Sequence, residues 1–456
     1  MSTAVRQQAL PRSFQYWLAA ASLSTFGDVV LYFALGWAAT GISPGLAGMV
    51  LTCVVIPRAT LFILGGVIGD RLGPRRVMIA GDALLCGLTL LLAGVVAVPG
   101  VSPAVLLITA LLIGCVDAFY LPAAGAFPRL FATDEQLPRA MALRGTTSQA
   151  ITLAGGPLAG LLVAATGLVG AFFIDSLSFA VCLVVIVLIR PPYSTPPPTG
   201  PAVSVLASAR DGLRTAWSDP MLRSILVAVG LVAAFVLPVL SLCIPLLARF
   251  HGWGPATAGF ISGSSTAGAL LVTVVVARRG SFRRAGLVTG IAPLVIAMGM
   301  AALAFSATPA IAVAAAFVQG SGIGLFTAHM GPLFVAATPP THLIRLQSLL
   351  GLVQTLPLLV ANNLIGAASA RTSPQWALLG CAVATTFAAL ALLSTGRLRS
   401  VGREVDGDGA DSPDPGQRSH GDEVAALLVE QAEQGEVDGG VQDGRDGQVR
   451  AAGRSQ

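Results

Sequence analysis

Long apolar runs separated by short polar turns fill this chain from residue 14 to residue 396. Each run holds roughly 20 apolar residues, the length that a helix needs to cross about 30 Å of hydrocarbon. Helices are expected because a backbone in lipid has to satisfy its hydrogen bonds within its own segment. The pattern predicts an all-α polytopic membrane protein with twelve spans, at 14–40, 46–69, 77–98, 103–128, 144–166, 168–190, 222–248, 255–277, 285–306, 309–333, 345–370 and 373–396.

A proline-rich stretch from Pro191 to Pro198 divides the spans into two groups of six. The start of the second span, Pro44-Gly45-Leu46-Ala47-Gly48, is echoed by Pro255-Ala256-Thr257-Ala258-Gly259 at the start of the eighth, which indicates two pseudo-repeats. Residues 203–217 also have the pattern of a helix lying on the inner membrane surface. We therefore expect an N-terminus (1–13), a six-helix bundle (14–190), a linker with the interfacial helix (191–221), a second bundle (222–396) and a tail (397–456).

Charge is distributed unevenly along the chain. Only 11% of the 456 residues are charged, while 54% are hydrophobic. The arginines before residue 400 fall almost entirely in alternate loops, and the positive-inside rule then predicts that both termini are cytoplasmic. The tail after Ser400 is acidic and rich in Gly and Gln, so it is expected to be mostly disordered. These features predict a multi-pass protein of the bacterial inner membrane.

The most informative loop runs from Gly65 to Arg76, between the second and third predicted spans. It resembles the G-x-L-A-D-R-x-G-R-K loop of major facilitator superfamily transporters, although Pro74 stands where that pattern has an arginine. The resemblance implies a two-bundle transporter in which Asp70 contacts a helix terminus of the opposite half and stabilises the outward-open state. The alternative is that the arginines only set topology. The gating candidates are Gly66, Asp70, Arg71, Gly73, Arg75 and Arg76.

Further stretches narrow the resemblance. Residues 22–28, 114–123, 127–130 and 173–179 are similar to the drug:proton antiporter group that contains macrolide-efflux proteins and the enterobactin exporter. In the fifth span, Gly155, Gly156, Pro157 and Gly160 are similar to the G-P-x-x-G antiporter motif. The resemblance implies that this motif seals the transporter against leakage. Ordinary close packing between helices explains the same residues nearly as well.

Three charged residues at lipid depth are candidates for proton coupling. Asp28 and Arg58 lie halfway along the first two spans, so an ion pair between them is expected. That pair is either purely structural, or Asp28 binds and releases the transported proton. Asp117, in the fourth span, is expected to line the central cavity or to pair with an arginine of the loop. Asp175, in the sixth span, is expected to cap or hydrogen-bond a neighbouring helix rather than to move protons.

Aromatic and amide side chains supply candidates for a substrate cavity, although most aromatic residues at helical spacing simply pack. The candidates are Phe26, Tyr32, Phe119, Tyr120, Gln149 and Gln354. No nucleophile elbow, phosphate loop or metal-ligand cluster occurs in the sequence, so neither an enzyme nor a cofactor is predicted.

Together these patterns predict a secondary active transporter that exports an amphipathic small molecule, drug-like or a secondary metabolite, in exchange for protons. A siderophore exporter or a facilitator of the same fold is one alternative, and a non-transporting sensor or scaffold is another. The expected partners are the lipid bilayer, a small-molecule substrate and protons, with no nucleic acid. A monomer is expected because one chain contains a complete pore.

Overall fold

A proline and a preceding cap residue mark where many of the helices begin. Ser43 precedes Pro44, and its hydroxyl accepts a hydrogen bond of 3.1 Å from the backbone N–H of Leu46. Proline suits this first turn because it has no N–H to leave unpaired. The same combination of a polar cap and a proline recurs before Pro103, Pro220 and Pro309. The sequence therefore fixes these helix starts locally.

The computed structural model describes residues 10–98, 100–133, 135–193, 213–214, 216–279, 285–338 and 343–394. Across these ranges the chain is helical and contains no strand. The helices are α1 (Arg12–Ile42), α2 (Pro44–Leu72), α3 (Pro74–Ala97), α4 (Pro103–Ala126), α5 (Leu137–Leu188), α6 (Pro220–Pro238), α7 (Ile244–Phe250), α8 (Pro255–Arg279), α9 (Ala285–Ala304), α10 (Pro309–Ala337), α11 (Leu343–Arg371) and α12 (Pro374–Ser394). A 3₁₀ turn (Phe127–Leu130) follows α4, and a π-helical segment (Val239–Cys243) joins α6 to α7.

Ten helical stretches of the described chain are long and apolar enough to cross a membrane. One of them, α5, has 52 residues, far more than a single crossing needs. It reverses at Gly167, whose φ of 64° is a conformation that glycine adopts without strain. A count of twelve spans follows when the two arms of α5 are counted separately and the shorter apolar helix Pro374–Leu390 is included.

The helices pack as two groups, which we call the first half (α1–α5) and the second half (α6–α12). In the first half α1 and α3 lie against α5, and α2 lies against α4. In the second half α10 packs against α8 and α9, and α12 packs against α9. The halves meet mainly where α5 contacts α8 and where α2 contacts α11. Three predicted regions lie outside the described residues, wholly or for the most part: the N-terminus, the interfacial helix 203–217 and the tail 397–456.

Candidate functional site

An ion pair links α2 to α4 inside the first half. Arg58 forms a salt bridge with Asp117, and its Nε donates to Asp117 Oδ2 at 3.2 Å. The Tyr32 hydroxyl of α1 donates to the same oxygen at 2.6 Å, and Arg58 lies 5.2 Å from the centre of the Tyr32 ring. The three side chains therefore form one polar cluster that ties together α1, α2 and α4.

The predicted ion pair between Asp28 and Arg58 is therefore wrong, and so is the predicted pairing of Asp117 with an arginine of the loop. The reason is the close approach of α2 and α4, where Gly65 lies directly against the backbone carbonyl of Ala118. This contact between the helices brings the side chain of Arg58 within bonding distance of Asp117. Among the described residues Asp28 has no ion pair and no hydrogen bond, although Arg58 remains near enough to act on it electrostatically.

Asp28 instead lines a cavity, which we call the Asp28 cavity. Its volume is about 130 Å³, and it is partly enclosed. The wall contains charged, aromatic and small polar side chains from all five helices of the first half. Its lining residues are Trp17, Leu18, Ala21, Ser22, Ser24, Thr25, Asp28, Arg58, Met78, Asp117, Tyr120, Leu121, Ala124, Arg144, Ser148, Ile151 and Phe179. The structure thus brings the three predicted coupling residues, Asp28, Arg58 and Asp117, to one cavity.

Two further carboxyls lie buried behind this wall. Asp175 is fully buried, and its Oδ1 lies 3.0 Å from the point that a methyl group on Gly27 would occupy. Neither of its oxygens has a hydrogen-bond partner in the described chain, so the expected bond to a neighbouring helix is wrong. Asp82 is also fully buried, beside Tyr120 and Cys182. Both carboxyls act electrostatically on Asp28.

The two halves touch closely at one end of the molecule, the end where α1 finishes. Gly160 of α5 faces α8 so closely that a methyl group on it would lie 2.6 Å from the carbonyl oxygen of Pro255. Gly156 faces Gly259 and Gly263 in the same way, and Pro157 lies against Gly263. Gly155 instead packs on Val29 within the first half. The predicted motif therefore divides between two contacts, of which only one joins the halves.

Arg249 joins the halves at the same end. Its guanidinium lies 4.1 Å from the centre of the Trp37 ring and donates hydrogen bonds to the Trp37 carbonyl at 2.7 Å and to the Thr40 hydroxyl at 3.2 Å. Nearby, the Asn363 side chain donates to the Thr52 hydroxyl at 2.8 Å, which links α11 to α2. We call this end of the molecule the Arg249 end.

At the opposite end, the Arg75 end, the described residues of the two halves lie apart. Residues 145–150 of α5 and 271–279 of α8 are mostly exposed there, although the other portions of these helices pack against each other. The cavity residues Trp17, Met78 and Arg144 lie toward this end. The Asp28 cavity is therefore reached from the Arg75 end, while the contacts between the halves close the Arg249 end.

The predicted gating loop lies at the open end. Gly73 has a φ of 83°, which allows the tight turn between α2 and α3. Arg75 donates to the carbonyls of Ile186, Val187 and Ile189 at 3.0–3.1 Å and so caps the end of α5. The side chains of Asp70, Arg71 and Arg76 are exposed, and Gly66 has open space beside it. Among the described residues Asp70 has no bonding partner, so its predicted contact with the opposite half is absent from this state.

The remaining cavity candidates lie in different surroundings. Tyr120 lines the cavity, and Tyr32 is hydrogen-bonded to two residues that line it, Arg58 and Asp117. Phe26 and Phe119 are half-buried and pack against the apolar cores of the first half. Gln149 and Gln354 are exposed, and neither lines the Asp28 cavity.

Sequence reasoning missed Arg144 and Arg249 as site residues, because both were counted only as topology signals. Arg144 follows the polar start of α5 and gives no motif. Arg249 had one available signal, since only it and Arg371 lie on the arginine-poor side of the predicted spans.

Comparisons with known proteins agree with this architecture. The family model described as Major Facilitator Superfamily matches residues 17–312. The uncharacterized MFS-type transporter YfiS of Bacillus subtilis is 22% identical over 404 residues, covering 85% of this chain and 92% of YfiS. The multidrug efflux pump Tap of Mycobacterium tuberculosis is 26% identical over 312 residues, covering 61% of this chain and 70% of Tap.

Solved structures of transporters share the fold. The nucleoside transporter NupG has a TM-score of 0.64 and 14% identity, covering 84% of this chain and 99% of NupG. A bacterial homologue of the iron transporter ferroportin, in its inward-facing state, has a TM-score of 0.65 and 16% identity, covering 85% of this chain and all of the homologue. At such low identity the likeness concerns the fold and not the substrate.

Proposed function

The chain belongs to the Major Facilitator Superfamily, and from that premise we propose that it exports an amphipathic small molecule in exchange for protons. The observation that carries this proposal is Asp28, a carboxyl without a hydrogen bond among the described residues, in the wall of a partly enclosed cavity. A carboxyl at lipid depth is costly to keep, and such residues usually serve ion or proton pathways.

The arginines supply the orientation of the proposed transporter. The exposed Arg71, Arg76, Arg129 and Arg139 lie toward the Arg75 end, which the positive-inside rule places in the cytoplasm. Both termini are then cytoplasmic in the bacterial inner membrane, and the present state is inward-open. Separation of the two halves at the Arg249 end, together with their closure at the Arg75 end, would give the outward-open state of an alternating-access cycle. One chain supplies both halves, so the transport unit is a monomer.

Proton exchange follows from competition at Asp28. Because Arg58 is held by Asp117 and Tyr32, it does not neutralise Asp28 through a direct contact. The Asp28 carboxyl can bind a proton or the cationic group of a substrate, but not both together. Entry of substrate from the cytoplasm therefore displaces a proton, and proton binding from outside displaces substrate. Drug-like cargo is supported by the relative Tap, which is described as a multidrug efflux pump.

Transport into inside-out membrane vesicles tests this function. Respiring vesicles would be given a macrolide and a panel of fluorescent cationic dyes, with and without a protonophore. The samples are wild type, Asp28→Asn, empty vector and Glu135→Gln, which removes an exposed carboxyl remote from the cavity. We expect protonophore-sensitive uptake with wild type and Glu135→Gln, and loss of uptake with Asp28→Asn.

Each contrary result has its own meaning. Uptake that survives the protonophore would identify a facilitator rather than an antiporter. Full transport by Asp28→Asn would remove Asp28 from the coupling mechanism. Uptake no greater than with empty vector for every compound would overturn the proposal of drug export.

A further inference from the structure

The charges that line the Asp28 cavity neutralise one another only in part. Two aspartates and two arginines line it: Asp28, Asp117, Arg58 and Arg144. Arg58 and Asp117 are paired with each other. That pairing leaves one carboxylate, Asp28, and one guanidinium, Arg144, without a partner of opposite charge among the described residues.

Arg144 differs from most of the arginines at the Arg75 end of the first half. Its guanidinium lies 6.0 Å from the centre of the Trp17 ring, in the cavity wall, and the Trp17 side chain is almost completely buried. The surrounding arginines that set topology are exposed instead: Arg71, Arg76, Arg129 and Arg139. An arginine that only sets the orientation of the protein in the membrane does not have to lie in a cavity wall. The position of Arg144 therefore requires another explanation.

Asp28 and Arg144 lie apart along the cavity. The Arg144 guanidinium lies over the Trp17 ring. Trp17 is about 16 Å from Asp28 along α1, at a rise of 1.5 Å per residue. Allowing for the reach of the two side chains, the charges are separated by a distance on the order of 10 Å.

We propose that the cavity binds an amphipathic zwitterion, with its cationic nitrogen at Asp28 and its carboxylate at Arg144. Arginine suits the acidic group because its planar guanidinium can bind a carboxylate through two parallel hydrogen bonds. Apolar side chains between the two charges, Leu18, Ala21 and Leu121, contact the frame of the substrate. The proposal rests on the proposed function in that this cavity is taken to be the substrate cavity.

Direct binding of a matched pair of dyes tests the proposal without requiring transport. One dye is a rhodamine with a free carboxyl group, and the other is the methyl ester of the same dye, which keeps the cation and the aromatic frame. Fluorescence anisotropy would give the Kd of each for purified wild type, Arg144→Gln and Arg139→Gln. Arg139→Gln is the matched control, because it removes an exposed arginine from the same helix.

We expect wild type and Arg139→Gln to bind the acid at least about tenfold more tightly than the ester, because the ester cannot form the charge-assisted hydrogen bonds with Arg144. Arg144→Gln should remove this preference while leaving ester binding unchanged. Equal binding of both dyes by wild type, binding of neither, or equal weakening of both by Arg144→Gln would overturn the zwitterion site. The vesicle assay measures transport separately from this binding preference. The protein can therefore show the binding preference without exporting the compounds, or export them without showing the preference.

Discussion

Arg58 of α2 and Asp117 of α4 form an ion pair beside Tyr32 in the wall of the Asp28 cavity. Asp117 is only 7% exposed, whereas Arg58 is 29% exposed. Removing one member of such a pair leaves the other charge without its partner in poorly solvated surroundings, which is more costly than removing both.

Single substitutions in this pair should therefore be more harmful than the double substitution. We expect Arg58→Gln and Asp117→Asn each to lower the free energy of unfolding by about 3 kcal/mol, and the combined variant to lose much less than the sum. Unfolding by denaturant in mixed micelles would measure these differences. Asp28→Asn is the control with a small expected change, because its carboxyl makes no hydrogen bond among the described residues. Strict additivity of the two single losses would contradict this account of the pair.

The end of α5 gives a second prediction. Arg75 donates to three carbonyls there, whereas its neighbour Arg76 is exposed. Arg75→Gln should destabilise the protein by about 1–2 kcal/mol, because the last carbonyls of the helix lose a charged donor. Arg76→Gln should change the stability by less than about 0.5 kcal/mol, as expected for an exposed position. The same micelle unfolding assay applies, and equal effects of the two variants would contradict the capping role.

Helix positions were predictable from the sequence because they depend on local signals. The break between the fifth and sixth predicted spans falls at Gly167, where α5 reverses. Pro44, Pro103 and Pro309 lie at or near the predicted starts of their spans and begin the corresponding helices. These features require only hydropathy, helix length and the conformations that glycine and proline favour.

The partner of Arg58 was not predictable in the same way. Sequence gives the depth of a residue in the membrane but not the rotation of its helix or the distance to the next one. Asp28 and Tyr32 lie one turn apart on the same face of α1, and both approach Arg58. The close contact of Gly65 with Ala118 decides that Asp117 becomes the ion partner. Such a contact between helices distant in sequence leaves no signal in a single chain.

Glycine packing between the halves gives a third prediction, about conformational equilibrium. A methyl group on Gly259 of α8 would lie 2.5 Å from the carbonyl oxygen of Gly156, so a larger side chain has no room in the closed Arg249 end. Gly259→Leu should destabilise this closed state by about 1–3 kcal/mol, as overpacking does, and so favour separation of the halves at this end. Gly94→Leu is the matched control, because nothing lies within 4 Å of its added Cβ position.

Labelling of an introduced cysteine would measure this shift. Thr52→Cys places a thiol at the closed contact with Asn363, in a background without the six native cysteines. A membrane-impermeant maleimide should label it roughly five- to a hundredfold faster with Gly259→Leu, which corresponds to about 1–3 kcal/mol. Unchanged labelling with Gly259→Leu, or equal acceleration with Gly94→Leu, would refute a specific role for this glycine contact.

Asp175 gives the last prediction, because its burial is not matched by hydrogen bonding. Its side chain is fully buried against α1, and both of its oxygens lack a partner in the described part of the chain. An ionised carboxylate in that position is costly, whereas a neutral amide of nearly the same shape is less so. Asp175→Asn should therefore leave the free energy of unfolding unchanged or raise it by about 1 kcal/mol.

Asp219→Ala provides the contrast in the same unfolding assay. The Asp219 carboxylate accepts hydrogen bonds from the backbone N–H groups of Met221 and Leu222 at 2.7 and 3.3 Å and caps α6. Its loss should cost about 1 kcal/mol, as is typical of an N-cap. If Asp175→Asn instead destabilised the protein by more than Asp219→Ala, the Asp175 carboxyl would have to make a stabilising contact in the folded protein. That result would rule out an unpartnered carboxyl at the contact with Gly27, where the first and sixth predicted spans meet.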